Sequence, residues 1–164
     1  MDAIIAGTGG SLSKPLSWWA DKPETRIAVN GACLFVPAYT HCCVVDRKPW
    51  MQGRVWLDMA RASLLTTQYA YDNITGLGEE IQEYVIAPRA AYGTEVATLW
   101  LIEQGYTSIQ YIGCDADGSR HSGLCSDYSH RKETGDEYTY DNSYVLARCL
   151  NHCVDGGVAY RVLE

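Results

Sequence analysis

The apolar residues of this chain fall in short runs that stop at glycine, asparagine or aspartate, and the stretches between them carry a helical period. Residues 3–6, Ala-Ile-Ile-Ala, form the first run and end at Gly7. Residues 26–30 form a second, with Ile27 and Val29 inside and Asn30 at its end. Residues 41–46 place Cys42, Cys43, Val44 and Val45 in succession before Asp46. A continuous apolar run suits a strand covered on both faces. Residues 63–67 and 83–87 read as a fourth and a fifth strand.

The clearest helix spans 93–105, with Val96, Leu99, Trp100 and Ile102 as its apolar face, Thr94 placed to cap it and Gly105 to stop it. A strand over 108–112 follows and ends in Gly113-Cys114-Asp115. Residues 116–135 are polar and read as a loop, long for a compact domain. Residues 138–153 predict a second long helix and 158–162 a last strand. Residues 12–20 start a short helix that tolerates Pro15 only in its first turn, and 53–61 are weakly helical. Short apolar strands alternating with helices predict an α/β fold: a Rossmann-like, doubly wound, mostly parallel sheet with helices on both faces. Such sheets bind ligands outside the carboxyl ends of the strands, where the strand order switches. At 164 residues the expectation is a single nucleotide-binding domain over 1–164.

Charge narrows the partners. The net charge is −7 and the densest basic segment is only Arg131-Lys132, so extended contact with nucleic acid is disfavoured. One or two cations still suffice for a small phosphorylated ligand. The seven cysteines are an odd number, the first residues lack a basic and apolar leader, and no stretch reaches the length of a membrane span. The expectation is a reducing cytoplasmic setting, no membrane contact, and thiols used mostly as small core residues.

Candidate chemistry gathers at the strand ends. Gly7-Thr8-Gly9-Gly10-Ser11 follows the first strand, where glycines permit tight turns and close approach of a ligand. A helix opening after Ser11 would turn unpaired N–H groups toward an anion. The segment is neither a Gly-x-Gly-x-x-Gly fingerprint nor a Walker loop, and an ordinary strand–helix turn explains it too. Asn30 suits a base or sugar, and Asp46 a ribose hydroxyl or Mg2+; either can instead bond its own turn. Asp115 and Asp117, two residues apart, suit Mg2+, although Asp117-Gly118 also makes a simple turn. The glutamate that a calcium loop needs near position 126 is absent. His121 is a candidate general acid or base or phosphate contact, although a lone loop histidine is more often just solvated; Arg120, with Arg131 and Lys132, is a candidate cover for an anion, which a solvated charged loop explains as well. Gly93-Thr94 opens its helix on the same edge. Cys149-x-x-His152-Cys153 is not a zinc signature, even with His121 and Cys125 added, and fits a buried helical face, so zinc is disfavoured. Twelve Tyr and five Trp against one Phe supply rings with polar tips, suited to core and interface packing and to stacking on a ring-shaped ligand. The same bias points to a homo-oligomer.

The segments IIAGTGGSLS, IAVNGA, CCVVD and YGTEVATLWLIEQGYTSIQYIGCDADG, in that order, resemble the sialyltransferase-like superfamily. Within it they are similar to the branch of 6-hydroxymethylpterin diphosphokinases and small phage-encoded proteins. The resemblance covers residue 4 to about residue 117, and Gly10 stands where the family often has proline. It implies that Gly7, Gly9, Ser11, Asn30, Asp46, Gly93, Thr94 and Asp115 line a nucleotide site. It implies transfer of a glycosyl group or a diphosphate from a nucleotide donor with Mg2+. Three readings follow. One is a Mg2+-assisted transferase in which Asp46, Asp115 and His121 act on the acceptor, Asp115 and Asp117 hold metal, and Thr8, Gly10 and Arg120 join the phosphate contacts. The second is a phage-type protein, in the host cytoplasm, that sequesters a nucleotide-derived signalling molecule unchanged. The third is a scaffold without a ligand.

Overall fold

The computed structural model describes residues 1–8, 24–36, 38–45, 62–73, 83–114 and 142–163. Seven strands among them form one parallel sheet: β1 (Asp2–Ala6), β2 (Thr25–Val29), β3 (His41–Cys43), β4 (Ser63–Thr67), β5 (Tyr84–Ala87), β6 (Ser108–Ile112) and β7 (Ala159–Leu163). Their order is β5-β4-β3-β2-β1-β6-β7. The first five strands step outward from β1 in one direction. The chain then crosses back and lays β6 on the other flank of β1, in register Ala3↔Ile109 through Ala6↔Ile112. The strand order therefore switches between β1 and β6. This is the expected α/β fold, with every described pairing parallel.

Parallel central strands must be apolar on both sides, and the two isoleucines of β1 show it. Ile4 joins Ala28, Cys42, Leu64 and Ile112 on one face, where a 3-10 helix (Asn30–Leu34) and Ala70 of α1 (Gln68–Asn73) also pack. Ile5 joins Ile27, Cys43, Leu65 and Tyr111 on the other, beneath α2 (Gly93–Glu103) and α3 (Asn142–Asp155). Helical cover thus lies on both faces.

The main departures from the sequence reading concern element ends. The second strand stops at Val29, because Asn30 takes φ 50° and starts the 3-10 helix. Asparagine tolerates that left-handed backbone better than most residues. The third strand stops at Cys43; Val44 still donates to the Leu65 carbonyl at 3.0 Å. α2 ends at Glu103, and Gly105 at φ 81° closes it, with Tyr106 N–H on Leu101 O at 3.1 Å. α3 is described from Asn142 and runs to Asp155, past the predicted 153, before Gly157 at φ 66° repeats the same closure. The last strand is shifted by one residue. The buried face of α2 is Val96, Ala97, Trp100 and Leu101, while the expected Leu99 and Ile102 are half-buried. That face lies on the sheet, and the flank bearing Glu95 and Thr98 meets α3. α1 and the 3-10 helix are additions to the sequence reading. The helical stretches expected at 12–20 and 53–61 and the loop at 116–135 lie outside the described residues. Among the described residues no helix is long and apolar enough to cross a membrane.

Candidate functional site

Each parallel strand delivers its carboxyl end to one rim of the sheet. At the switch point, Gly7 N–H extends the pairing by donating to Ile112 O at 2.8 Å. A Cβ on Gly7 would lie 2.5 Å from Gly113 O and 3.0 Å from Cys114 Sγ, so only glycine lets the two chains come this close. Gly113 itself takes φ 63°, the left-handed region that favours glycine, and turns the chain away from the strand.

Two strands further along the rim, α2 begins. Tyr92 is its N-cap in extended conformation, and its side chain makes no capping hydrogen bond. Thr94 is thus not the cap expected from sequence; its carbonyl accepts the Thr98 hydroxyl at 2.9 Å. Gly93 sits directly on the end of β2, where an added Cβ would meet Val29 Cγ1 at 2.7 Å and Asn30 Nδ2 at 3.8 Å. Cys43 Sγ donates to Gly93 O at 3.3 Å, tying the same turn to β3. The described members of the predicted site accordingly form two groups on one rim. Gly7, continuing into Thr8, meets the end of β6, while Asn30, Gly93 and the adjoining Thr94 gather over the ends of β2 and β3. Gly9, Gly10, Ser11, Asp46, Asp115, Asp117, Arg120 and His121 lie outside the described residues. In the chain, Asp46 directly follows Val45, and Asp115 directly follows Cys114.

Sequence reasoning missed the seam between α2 and α3. Glu95 in the first turn of α2 is 1% exposed, yet it is ionised by its partners. Its Oε1 accepts Arg148 Nε at 2.8 Å and lies 2.7 Å from Arg148 Nη2, with His152 Nε2 at 2.9 Å. Burial pushes the Glu95 carboxyl up, but the hydrogen bonds from Arg148 and His152, with the charges they bring, outweigh it and hold the group below its ordinary value. The same contact raises the Arg148 guanidinium, helped by Tyr144. Arg148 Nη1 donates to Tyr144 Oη at 3.2 Å, and the Tyr144 ring meets the Tyr92 ring edge-on at 6.4 Å. The one legible signal was the i, i+4 spacing of Tyr144, Arg148 and His152, which puts all three on one helix face.

One turn deeper, the Tyr111 hydroxyl lies 2.9 Å from Thr98 Oγ1 and 3.3 Å from Cys153 Sγ. Cys149 and Cys153 are buried here, and burial pushes the Cys149 thiol up to about 12. His152 turns away from this pair toward Glu95. Among the described residues no group of three His, Cys, Asp or Glu side chains could hold a metal ion.

The fold is similar to that of a thiamine pyrophosphokinase. That crystal structure, from Bacillus subtilis, superposes with a TM-score of 0.50 at 13% sequence identity, over 99% of this chain. This chain spans 60% of the length of that one. The likeness is one of fold. No protein-family model matches the sequence, and no curated protein does.

Proposed function

We propose that this chain is a nucleotide-binding transferase that moves a glycosyl or diphosphate group from a nucleotide donor with the assistance of Mg2+. The observation that carries the reading is the rim: the Gly7–Gly113 approach lies at the switch in strand order, on the same edge as the first turn of α2 over Val29 and Asn30. Backbone N–H groups at a helix start favour phosphate oxygens, and the close Gly7–Gly113 contact fixes where the ends of β1 and β6 stand on that rim. A pyrophosphokinase on a similar fold and the order of motifs shared with the sialyltransferase-like superfamily both support a nucleotide donor.

In the diphosphate version, an acceptor hydroxyl oxygen bonds to the β-phosphorus of ATP. The bridge to the α-phosphorus breaks, and its electron pair leaves on AMP. The acceptor proton passes to a carboxylate, Asp46 or Asp115, with Arg120 or His121 offsetting charge. Mg2+ would belong to Asp115 and Asp117 and would neutralise phosphate charge when bound.

The test incubates purified protein with Mg2+ and a panel of nucleotide donors and follows the donors by mass spectrometry. Donor consumption that Asp115→Asn abolishes supports the reading. Tight binding with the ligand recovered unchanged would make the protein a sequestering module instead, of the kind small phage proteins of that branch suggest. Absence of both binding and turnover would leave the sheet as a scaffold.

A further inference from the structure

The α2–α3 seam reaches the same rim as the proposed phosphate site. Both helices lead into strands of a parallel sheet, so both start at the carboxyl edge and run side by side. Their first turns are in contact there: Tyr92, the N-cap of α2, touches Tyr144 of α3. We propose that the shelf formed by Tyr144, Tyr92 and Arg148 is where the planar base of the nucleotide lies flat, its phosphates directed to the neighbouring first turn of α2. This subsite rests on the nucleotide reading above and names which part of the ligand binds where.

Three observations support it. Tyr144 is 54% exposed, yet its ring is not left to rotate. Its hydroxyl is held by Arg148 Nη1, the Arg148 guanidinium carbon stands over the ring 5.6 Å from its centroid, and the Tyr92 ring packs against it at an interplanar angle of 80°. Arg148 in turn is 40% exposed, with two nitrogens fixed by a carboxylate that is buried and must stay paired. A ligand ring therefore meets surfaces already ordered, and little of the stacking gain is lost to immobilising them. Finally, Glu95 already neutralises Arg148. The shelf presents a guanidinium and phenol face more than a net charge, which suits a heteroaromatic ring better than a phosphate.

The experiment compares Mg-ATP with Mg-tripolyphosphate as probes, by calorimetry, on the wild type and on Tyr144→Ser and Tyr144→Phe. Because Tyr144 is largely exposed, both variants are expected to keep the wild-type circular dichroism spectrum and melting temperature. Loss of a base-stacking ring weakens binding by about tenfold or more, so Tyr144→Ser should lose that much for ATP, keep tripolyphosphate affinity, and be rescued by Tyr144→Phe. Unchanged ATP affinity in Tyr144→Ser overturns the subsite and leaves the seam as a helix clamp, with nucleotide binding intact. Equal weakening toward both probes also overturns it, since the residue then acts through the placement of α2. A wild type that binds neither probe removes the ATP-dependent, diphosphate-transfer form of the nucleotide reading, and the subsite with it.

Discussion

Gly7 approaches Gly113 so closely that a Cβ on the first would sit 2.5 Å from the carbonyl oxygen of the second. The obstacle is backbone, which cannot swing aside as a side chain can. Gly7→Ala is expected to destabilise the chain by about 1–3 kcal/mol, the range for overpacking, and to displace the ends of β1 and β6. Chemical denaturation measures the first effect. If the rim holds phosphate, ATP affinity falls more steeply than stability.

Gly93 offers the contrast. Its hypothetical Cβ meets Val29 Cγ1 at 2.7 Å, the end of a side chain that can be shortened. Gly93→Ala should cost less than Gly7→Ala, and Val29→Ala should partly relieve it. A double-mutant cycle in urea would then show a coupling of about 0.5–3 kcal/mol. Strict additivity would mean that the two residues do not press on one another.

Acid should loosen the α2–α3 seam. The Glu95 carboxyl is held below its ordinary value in the folded chain, so the unfolded chain binds that proton more readily. Its contribution is complete above the unfolded value and is lost as pH falls through the folded one. Arg148→Met strands a buried carboxylate with only His152 beside it, so acid unfolding should begin at a higher pH than in the wild type. Glu95→Leu, which removes the buried charge and leaves Arg148 to solvent, should flatten that limb. Melting temperature against pH distinguishes the two.

His41 adds a second slope nearer neutrality. Its ring lies 4.9 Å from that of Trp100, and burial lowers its pKa below the ordinary value of 6.5. Protonation then favours the unfolded chain. Stability should fall as pH drops through the unfolded value of about 6.5 and level off below the folded one. His41→Phe should remove this component, and Trp100 fluorescence should report it.

The thiols should differ in reactivity. Cys149 and Cys153 are buried, and burial raises both. Cys114 is half-buried and lies at the rim against Gly7. A thiol-specific reagent should modify Cys114 well before Cys149 or Cys153 in the native state, as peptide mapping would show. Bound Mg-ATP should slow the Cys114 reaction alone. Tyr111→Phe, which removes the hydroxyl between Thr98 and Cys153, should cost about 0.5–1.5 kcal/mol; because that hydroxyl's hydrogen bond lowers the Cys153 thiol, its loss should slow labelling of Cys153 further.

Much of the architecture was readable from local pattern. Apolar runs such as 3–6 and 41–45 need cover on both faces, glycine at 105 ends a helix, and strand–helix alternation makes the sheet parallel. Those are short-range constraints of backbone and hydrophobic period. They also brought Gly7, Asn30 and Gly93 to one rim, because every parallel strand ends on the same edge.

Tertiary structure alone decided which of these residues touch. The strand order places β6 beside β1, so residues 7 and 113 meet across more than a hundred positions of chain, a pairing no local spacing encodes. The same holds for Glu95: in sequence it is a surface-type carboxylate in a first helical turn, and only the packing of α3 on α2 buries it and supplies Arg148 and His152. Periodicity shows that a helix has a buried side, but it does not say which neighbour covers it. That choice is made by crossover connections and by the charge a buried group must find.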